Sequence, residues 1–156
     1  MSDFTHLDGQ GAARMVDVSG KEVTVRTATA SGRVLVSSEV IALLRSGGVP
    51  KGDALAVARI AGIQAAKRTP DLVPLCHPIA IHAVAVEVEV RDDHVAIAAT
   101  VRTADRTGVE MEALTCVSVA GLALIDMVKA VDPAGVISEV RVETKTGGRS
   151  GDWQRG

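Results

Sequence analysis

Aromatic side chains are almost absent from this chain of 156 residues. Phe4 and Trp153 are its only members of the Phe, Tyr and Trp group. Because proteins that bind single-stranded nucleic acids stack the bases on aromatic rings, a base-stacking surface is nearly excluded. Neither sign of charge dominates, since 17 Lys and Arg stand against 19 Asp and Glu, for a formal net charge of -2. No global positive field therefore attracts a phosphate backbone, and we expect no nucleic-acid partner.

Cysteine is also scarce, with Cys76 and Cys116 as the only two. They lack the CxxC spacing of a thiolate metal site, and two isolated cysteines do not make a disulfide framework, so we expect an intracellular protein without zinc. The N-terminal residues lack the basic start and apolar run of a signal peptide, and charges interrupt the longer apolar stretches. These absences predict a cytoplasmic chain with no membrane partner.

Small apolar residues dominate what is present. Apolar residues make up 47% of the chain, and 23 Ala and 24 Val supply most of them, while 23% of residues are charged. This balance is typical of a folded domain, and the length predicts a single domain over 1–156, with an arm at 1–21 and a flexible glycine-rich tail at 146–156. Because small side chains bury little apolar area each, we expect the subunit to gain stability by forming a homo-oligomer.

The first part of the chain alternates between apolar and polar residues. Strands around 23–25 and 34–36 flank a Ser-Gly pair at 31–32, which predicts a hairpin. A serine cap at 37 or 38 predicts a short helix that ends at about residue 45.

A second helix is predicted to begin after Asp53, which is a good N-cap, and to end at about Arg68. Its Ile60 and Ile63 are expected to face the core. Three prolines between residues 69 and 78 exclude a regular element from that segment.

The second half predicts two antiparallel strands, a long helix and a last strand. The strands cover about 84–90 and 95–101, the helix 109–131 and the last strand 140–142. The resulting order is β, α, β, β, α, β, which is that of the ferredoxin-like α+β sandwich. We therefore expect an antiparallel sheet with helices on one face and an extra N-terminal hairpin or arm.

Charged groups in the long helix have both an ordinary and a functional interpretation. Asp126 and Lys129 are three residues apart and so project on one side, as a surface ion pair or as a proton acceptor and donor. Glu110 and Glu112, two residues apart, are expected to point to different sides. Either one suits the positive end of the helix dipole, and Glu112 could also accept hydrogen bonds from the guanidine-like edge of a purine or pterin ring.

Three loops carry further candidates. Proline restrains Cys76 and His77, and His77 is either a structural group or a proton donor; we assign no nucleophilic role to Cys76. Lys51, between glycines before a helix, and the basic glycine-rich stretch 145–151 are each either solvated loops or phosphate ligands. GGVPKGD does not match the Walker A pattern, so the NTPase interpretation fails. Two such loops in one short chain favour a polyphosphate ligand.

Taken together, these motifs resemble the cyclic pyranopterin monophosphate synthases, the C proteins of molybdenum cofactor biosynthesis. The resemblance runs over nearly the whole chain. The matching motifs are MVDVS at Met15, KGD at Lys51, ARIAGIQAAKRT at Ala58, DLVPLCHP at Asp71, TGVEMEALT at Thr107, DMVKA at Asp126 and KTGGRSGD at Lys145.

The resemblance implies a lyase that converts the 3′,8-cyclised dihydro-GTP intermediate to cyclic pyranopterin monophosphate and releases diphosphate. It implies Asp126 as the main acid/base residue, brought together with the amines of Lys51 and Lys129 from neighbouring copies. The other implied residues are His77 in catalysis, Leu75, Cys76, His77, Met111 and Glu112 along the base, and Lys145, Lys21 and Arg26 at the phosphates.

The same resemblance implies a hexamer, built as a trimer of dimers with sites between subunits. It requires no cofactor and no protein-bound metal, although Mg²⁺ accompanying the phosphates is compatible with it. Two other classes are compatible with a ferredoxin-like domain. One is a small-molecule sensor that binds without turnover, and the other is an RNA-binding module, against which the missing aromatics count.

Overall fold

The structure, a computed structural model, describes residues 5–156 as one antiparallel sheet with helices on one face. The strand order is β2-β3-β1-β4-β5, and the first four of these strands have the ferredoxin-like arrangement, which confirms the predicted fold class. The elements are β1 (Thr24–Leu35), α1 (Ser38–Ser46), α2 (Ala54–Lys67), α3 (Thr69–Leu72), β2 (Ala83–Val90), β3 (His94–Asp105), α4 (Glu110–Val128), β4 (Val136–Thr146) and β5 (Trp153–Gln154).

The core lies between the sheet and the helix layer and consists mainly of small side chains. The alternation in β2 and β3 brings Val86 opposite Ala99 and Val88 opposite Ile97 on the covered face. Helix α4 lies against the central strands and against α2, where Gly62 lies so close to Cys116 that an added Cβ would be 3.0 Å from its carbonyl oxygen. Small residues thus allow the two helices to approach closely.

The predicted hairpin at 23–36 is wrong, because β1 is one continuous strand of twelve residues. Gly32 lies inside it and faces the helix layer, where a Cβ would approach Val117 of α4 to 2.8 Å. The glycine therefore makes room for a helix, and the pairing of β1 with β4 shifts register across it, between Ser31 and Arg33, and once more between Thr29 and Ala30.

Two further predictions fail in the helical region. Ile60 is 57% exposed, because α2 packs through its small residues, including Ala58 and Ala66; Ile63 does pack against the core. The proline-rich segment forms the short helix α3, since Pro70 lies in its first turn, where a missing backbone N–H costs no helical hydrogen bond. The serine cap at 37 and the aspartate cap at 53 are both present.

The two ends of the described chain lie beside the sheet. Residues 5–21 of the predicted arm form turns and irregular chain, with one isolated bridge between Leu7 and Ala13, while residues 1–4 of that arm lie outside the described residues. In the predicted tail, β5 pairs with the end of β4. The tail is thus attached to the sheet at residues 153–154.

Within residues 5–156, α4 is the one helix with the length and mean hydropathy of a membrane span. Half of that window is buried inside the protein. The core helix of a folded domain has these same properties, so they are weak evidence for a membrane span.

Candidate active site

A cluster of one carboxylate and two ammonium groups lies at the C-terminal end of α4. We call it the lysine-aspartate cluster, and its members are Lys51, Asp126 and Lys129. Lys129 Nζ lies 2.7 Å from Asp126 Oδ1, and Lys51 Nζ lies 3.3 Å from Asp126 Oδ2. Lys51 also donates to the main-chain oxygen of Asp126 across 3.0 Å. The three side chains are about half exposed and so open to a ligand.

The loop between α1 and α2 places Lys51 in this cluster. Helix α1 ends at Gly47, which has a φ of 72° and so takes the left-handed conformation that glycine tolerates best. Gly52 follows Lys51 with a φ of 113°, and Asp53 then accepts a hydrogen bond from the Ala56 amide to begin α2. The two turns bring the lysine to the end of α4, about seventy-five positions further along the chain.

The two ammonium groups control the protonation of Asp126. The hydrogen bond from Lys129 and then that from Lys51 hold the pKa of the Asp126 carboxyl below its ordinary value. At neutral pH this group is therefore a carboxylate, which can accept a proton, beside ammonium groups that can donate one.

At the N-terminal end of α4 lies a cleft of about 260 Å³, which we call the cysteine-histidine cleft. Its walls come from the proline-restrained loop, the start of α4 and the N-terminal arm. The sequence-predicted residues that line it are Leu75, Cys76, His77, Met111, Glu112 and Lys21. The structure thus brings together every residue that the resemblance placed along the base.

Glu112 is the buried acid of this cleft. It is 3% exposed, and burial together with the nearby charge of Glu110 raises its pKa to about 7. Near neutral pH the side chain is therefore present in both its protonated and its ionised form. Both of its states are useful towards a heterocycle, since the carboxylate accepts from N–H groups and the acid donates to a ring nitrogen or carbonyl.

The loop residues beside Glu112 have different functions. The ring Nε2 of His77 is hydrogen-bonded to the main-chain oxygen of Val16, so His77 connects the loop to the arm. Burial, with the charge of Glu112, raises the pKa of the Cys76 thiol. A neutral thiol is a poor nucleophile, which agrees with assigning no nucleophilic role to Cys76.

A second cleft of about 210 Å³, the basic cleft, adjoins the first and shares Lys21, Thr107, Gly108 and Glu110 with it. Arg26 and Lys145 complete its cationic lining. These are the three residues predicted at the phosphates, and they lie beside the cleft predicted for the base.

Fixed contacts already hold parts of the basic cleft. Arg26 Nε donates to the main-chain oxygen of Asp105 across 3.1 Å, and Lys145 Nζ lies 3.6 Å from Glu110 Oε1. The cleft is therefore partly ordered before any ligand binds.

The predicted site residues thus form two groups at opposite ends of one helix. Glu112 and Asp126 are fourteen positions apart in α4, or about 21 Å at a rise of about 1.5 Å per residue. The expectation that Lys51 and Lys129 meet Asp126 from neighbouring copies is wrong, because both lysines contact Asp126 within a single copy of the chain. The reason is that the loop carrying Lys51 packs beside the C-terminal end of α4.

Sequence reasoning missed some of the residues that line these clefts. Glu110 was expected to point away from Glu112, yet both line the cysteine-histidine cleft. Glu110 extends back over Gly108, where a Cβ would collide with its carboxylate, and the TGVE motif was the available signal. Val16 and Val18 of the arm also line this cleft, and the compact MVDVS block was the signal for them. Residues 5–156 contain no group of three or more His, Cys, Asp or Glu that could hold a metal.

The fold and these sites define a class: a ferredoxin-like protein with an acid-lined pocket next to a basic cleft, suited to an anionic heterocyclic ligand. Comparison with known proteins is more specific. The family model described as the MoaC family matches residues 15–148, which is most of the chain. The chain belongs to the MoaC family.

Similar proteins carry one name. A relative from a Nocardioides species is 71% identical over 155 residues, spanning 97% of this chain and 95% of the relative, and is named cyclic pyranopterin monophosphate synthase. One from Streptomyces avermitilis with that name is 71% identical over 152 residues, 97% of this chain and 89% of the relative. Cyclic pyranopterin monophosphate synthase 2 of Mycobacterium tuberculosis is 57% identical over 153 residues, 98% of this chain and 92% of the relative.

Proposed function

We propose that this chain is a cyclic pyranopterin monophosphate synthase of molybdenum cofactor biosynthesis. It is an enzyme of the lyase class that converts the 3′,8-cyclised dihydro-GTP intermediate into cyclic pyranopterin monophosphate and diphosphate. The identity of 71% to a relative of that name, over nearly the full length of both chains, is the observation that carries the proposal.

The two adjoining clefts suit the two parts of this substrate. The purine-derived ring lies in the cysteine-histidine cleft, where Glu112 faces the guanidine-like edge and Leu75, Cys76 and Met111 form the wall. The triphosphate extends into the basic cleft towards Lys21, Arg26 and Lys145. Because these cations lie together in a concave site, they stabilise the negative charge that develops on the diphosphate as it leaves.

The lysine-aspartate cluster moves protons at the reacting centre. Opening the aminal ring and closing the pterin each need a proton acceptor and a donor. In the last step, a sugar hydroxyl oxygen bonds to the α-phosphorus, the bond to diphosphate breaks, and the hydroxyl proton goes to a base. Asp126, held as a carboxylate, is that base, while Lys129 and Lys51 donate protons, and His77 assists from the ring side.

A single chain does not bring these groups to one ligand, since about 21 Å of helix separates Glu112 from Asp126. A second copy supplies the missing half, so that each site combines the clefts of one chain with the lysine-aspartate cluster of another. A hexamer arranged as a trimer of dimers provides such pairs. Apolar side chains on the outer faces of the helices, such as Ile60 and Leu122, suit contacts of this kind.

The proposed reaction needs neither a redox cofactor nor a protein-bound metal. Any Mg²⁺ enters with the triphosphate, as part of the substrate. We also propose a cytoplasmic location for the enzyme.

Release of diphosphate from the cyclised GTP intermediate tests this function. Purified protein should release one diphosphate per substrate, and Asp126→Asn should reduce turnover by about 10²- to 10⁴-fold because it removes the base. Asp92→Asn is a matched control, since Asp92 is an exposed aspartate in an ion pair with Arg45, and its turnover should be unchanged. Binding of the intermediate without diphosphate release by the wild-type protein would favour the sensor interpretation.

A further inference from the structure

A glycine-rich loop, residues 147–151, forms part of the basic cleft and is held in place by strand β1 and by the residues that follow the loop. Gly147 and Ser150 line the basic cleft, while Gly148 and Arg149 line a neighbouring cleft of about 410 Å³ that also includes Lys21 and Arg26. This segment, the glycine loop, therefore separates two cavities that share Lys21 and Arg26.

The glycine loop lies tightly on strand β1. Gly147 and Gly148 have φ values of 85° and 82°, which residues with a Cβ rarely adopt. A Cβ on Gly147 would collide with the main-chain oxygen of Val25, and one on Gly148 would collide with the guanidinium of Arg26. The position of the loop and the position of the Arg26 side chain are therefore linked.

The residues that follow the loop hold it in this position. Asp152 Oδ1 accepts a hydrogen bond of 3.1 Å from the Gly147 amide, across the base of the loop. Trp153 then pairs with Lys145 in the β4–β5 ladder. We call residues 152–155 the C-terminal latch.

Arg155 attaches the latch to the sheet. Its amide donates to the main-chain oxygen of Glu143 across 2.8 Å, and its Nε donates to that of Val142 across 2.8 Å. Its guanidinium also lies over the ring of Trp153, 5.5 Å from the centroid.

Exposed residues outside the core make these contacts, through both main-chain and side-chain atoms. Asp152, Trp153 and Arg155 are all exposed, so the latch contributes little buried apolar area to the fold. Instead, the latch holds the glycine loop in position through the hydrogen bond between Asp152 and Gly147, and this loop is a wall of the basic cleft.

We propose that Asp152 and Arg155 are positioning residues, which hold the glycine loop against Arg26 and beside Lys145 so that the basic cleft is preformed for a polyphosphate. The inference rests on the proposed function, because it assigns the phosphates of the substrate to this cleft. Preforming the cleft lowers the ordering cost of binding, so its loss weakens anion binding while the proton transfers at Asp126 continue.

Binding of inorganic diphosphate, measured by calorimetry on the full chain, tests the latch together with steady-state kinetics. Asp152→Ala should raise both Kd for diphosphate and KM about five- to tenfold, within the range expected for the loss of one ordinary hydrogen bond, with kcat changed less than twofold. Asp152→Asn should restore most of the affinity, because its amide oxygen still accepts from Gly147. Arg155→Ala should resemble Asp152→Ala.

Arg141→Ala is the matched control. Arg141 contacts the Glu143 side chain at 2.7 Å but makes no hydrogen bond to the glycine loop, so Kd and KM should stay at the wild-type values. Hydrogen exchange provides an independent measurement, in which Asp152→Ala should accelerate the Gly147 amide about fivefold or more and leave the β1–β3 amides protected.

Unchanged Kd and KM in Asp152→Ala, with wild-type protein that binds diphosphate and turns over, would overturn the latch and leave the proposed function intact. A loss confined to kcat would also overturn it, since the loop would then act on the chemical step. Wild-type protein that neither binds diphosphate nor releases it from the intermediate would remove both proposals.

Discussion

The two ends of helix α4 each present an acidic side chain to a candidate site, but they treat its proton in opposite ways. Glu112 is buried in the first turn, and its pKa is raised to about 7. Asp126, near the last turn, is 56% exposed and hydrogen-bonded to two ammonium groups, and its pKa is lowered. Desolvation dominates at one end and hydrogen bonding to cations at the other.

Because of this difference, the two ends of α4 suit different functions. The N-terminal end can recognise a heterocycle through an acid that is close to half protonated at neutral pH. The C-terminal end keeps a carboxylate ready to accept a proton. Because the helix is rigid and about 21 Å separates the two acids, neither end reaches the ligand of the other within one chain.

Replacing the buried acid Glu112 has the largest expected effect, and that effect is on how the free energy of unfolding depends on pH. In the wild-type chain the folded-state pKa of Glu112 lies above its ordinary value of 4.5, so the folded protein binds more protons between pH 4.5 and 7. Its free energy of unfolding should therefore fall as pH rises through this window, by on the order of 3 kcal/mol from this group. Glu112→Gln should abolish that decrease in urea unfolding measured from pH 4.5 to 8.

Glu87→Gln provides the control for this titration. Glu87 is an exposed glutamate in β2, so its replacement removes a carboxylate but keeps the buried one at Glu112, and the decrease in unfolding free energy with rising pH should remain. Equal slopes for the wild-type and Glu112→Gln proteins would show that burial does not control this acid, and the contrast between the two ends of α4 would be lost.

A smaller effect sharpens the description of the C-terminal end. Lys129→Gln should raise the pKa of Asp126 towards its ordinary value by more than Lys51→Gln does, because the Lys129 contact is 2.7 Å and the Lys51 contact 3.3 Å. Carboxyl ¹³C titration by NMR measures both variants. A larger change in Lys51→Gln would reverse the order of the two cations.

High salt is a further check on the same end. Because the cluster is about half exposed, added salt should weaken the influence of both lysines on Asp126 in the wild-type protein. A titration that is insensitive to salt would indicate that the cluster is shielded from solvent.

Much of the fold followed from periodicity and capping, whereas positions that depend on tertiary contacts did not. The alternating valines of β2 and the caps at Ser37 and Asp53 are local features, and the structure has them where the sequence places them. Gly32 was misjudged because its reason, the close approach of α4, lies 85 residues away in Val117. Ile60 was wrongly expected in the core because it is a large apolar residue. Helix α2 instead packs through the face that carries its small residues, and the size of one side chain does not show which face that is.

The candidate site divides in a similar way. Resemblance identified the residues at both ends of α4, and the structure groups them into clefts and a cluster. No pattern in the sequence shows that Lys51 reaches Asp126 within one chain, since this depends on how the loop before α2 packs. The part played by Glu110 in the clefts also depends on a side-chain direction that spacing alone predicted wrongly.

Subunit complementation tests the central claim most directly. Asp126→Asn damages only the C-terminal end of α4, and a chain with both Lys21→Ala and Lys145→Ala damages only the basic cleft, so each protein alone should be inactive. The two chains are co-expressed with different affinity tags, and purification through both tags removes the hexamers that contain only one kind of chain. In the remaining hexamers about half of the pairs are mixed, and each mixed pair has one intact site out of two. About a quarter of the wild-type diphosphate release should therefore return. Hybrids as inactive as the parent variants would contradict a site shared between copies.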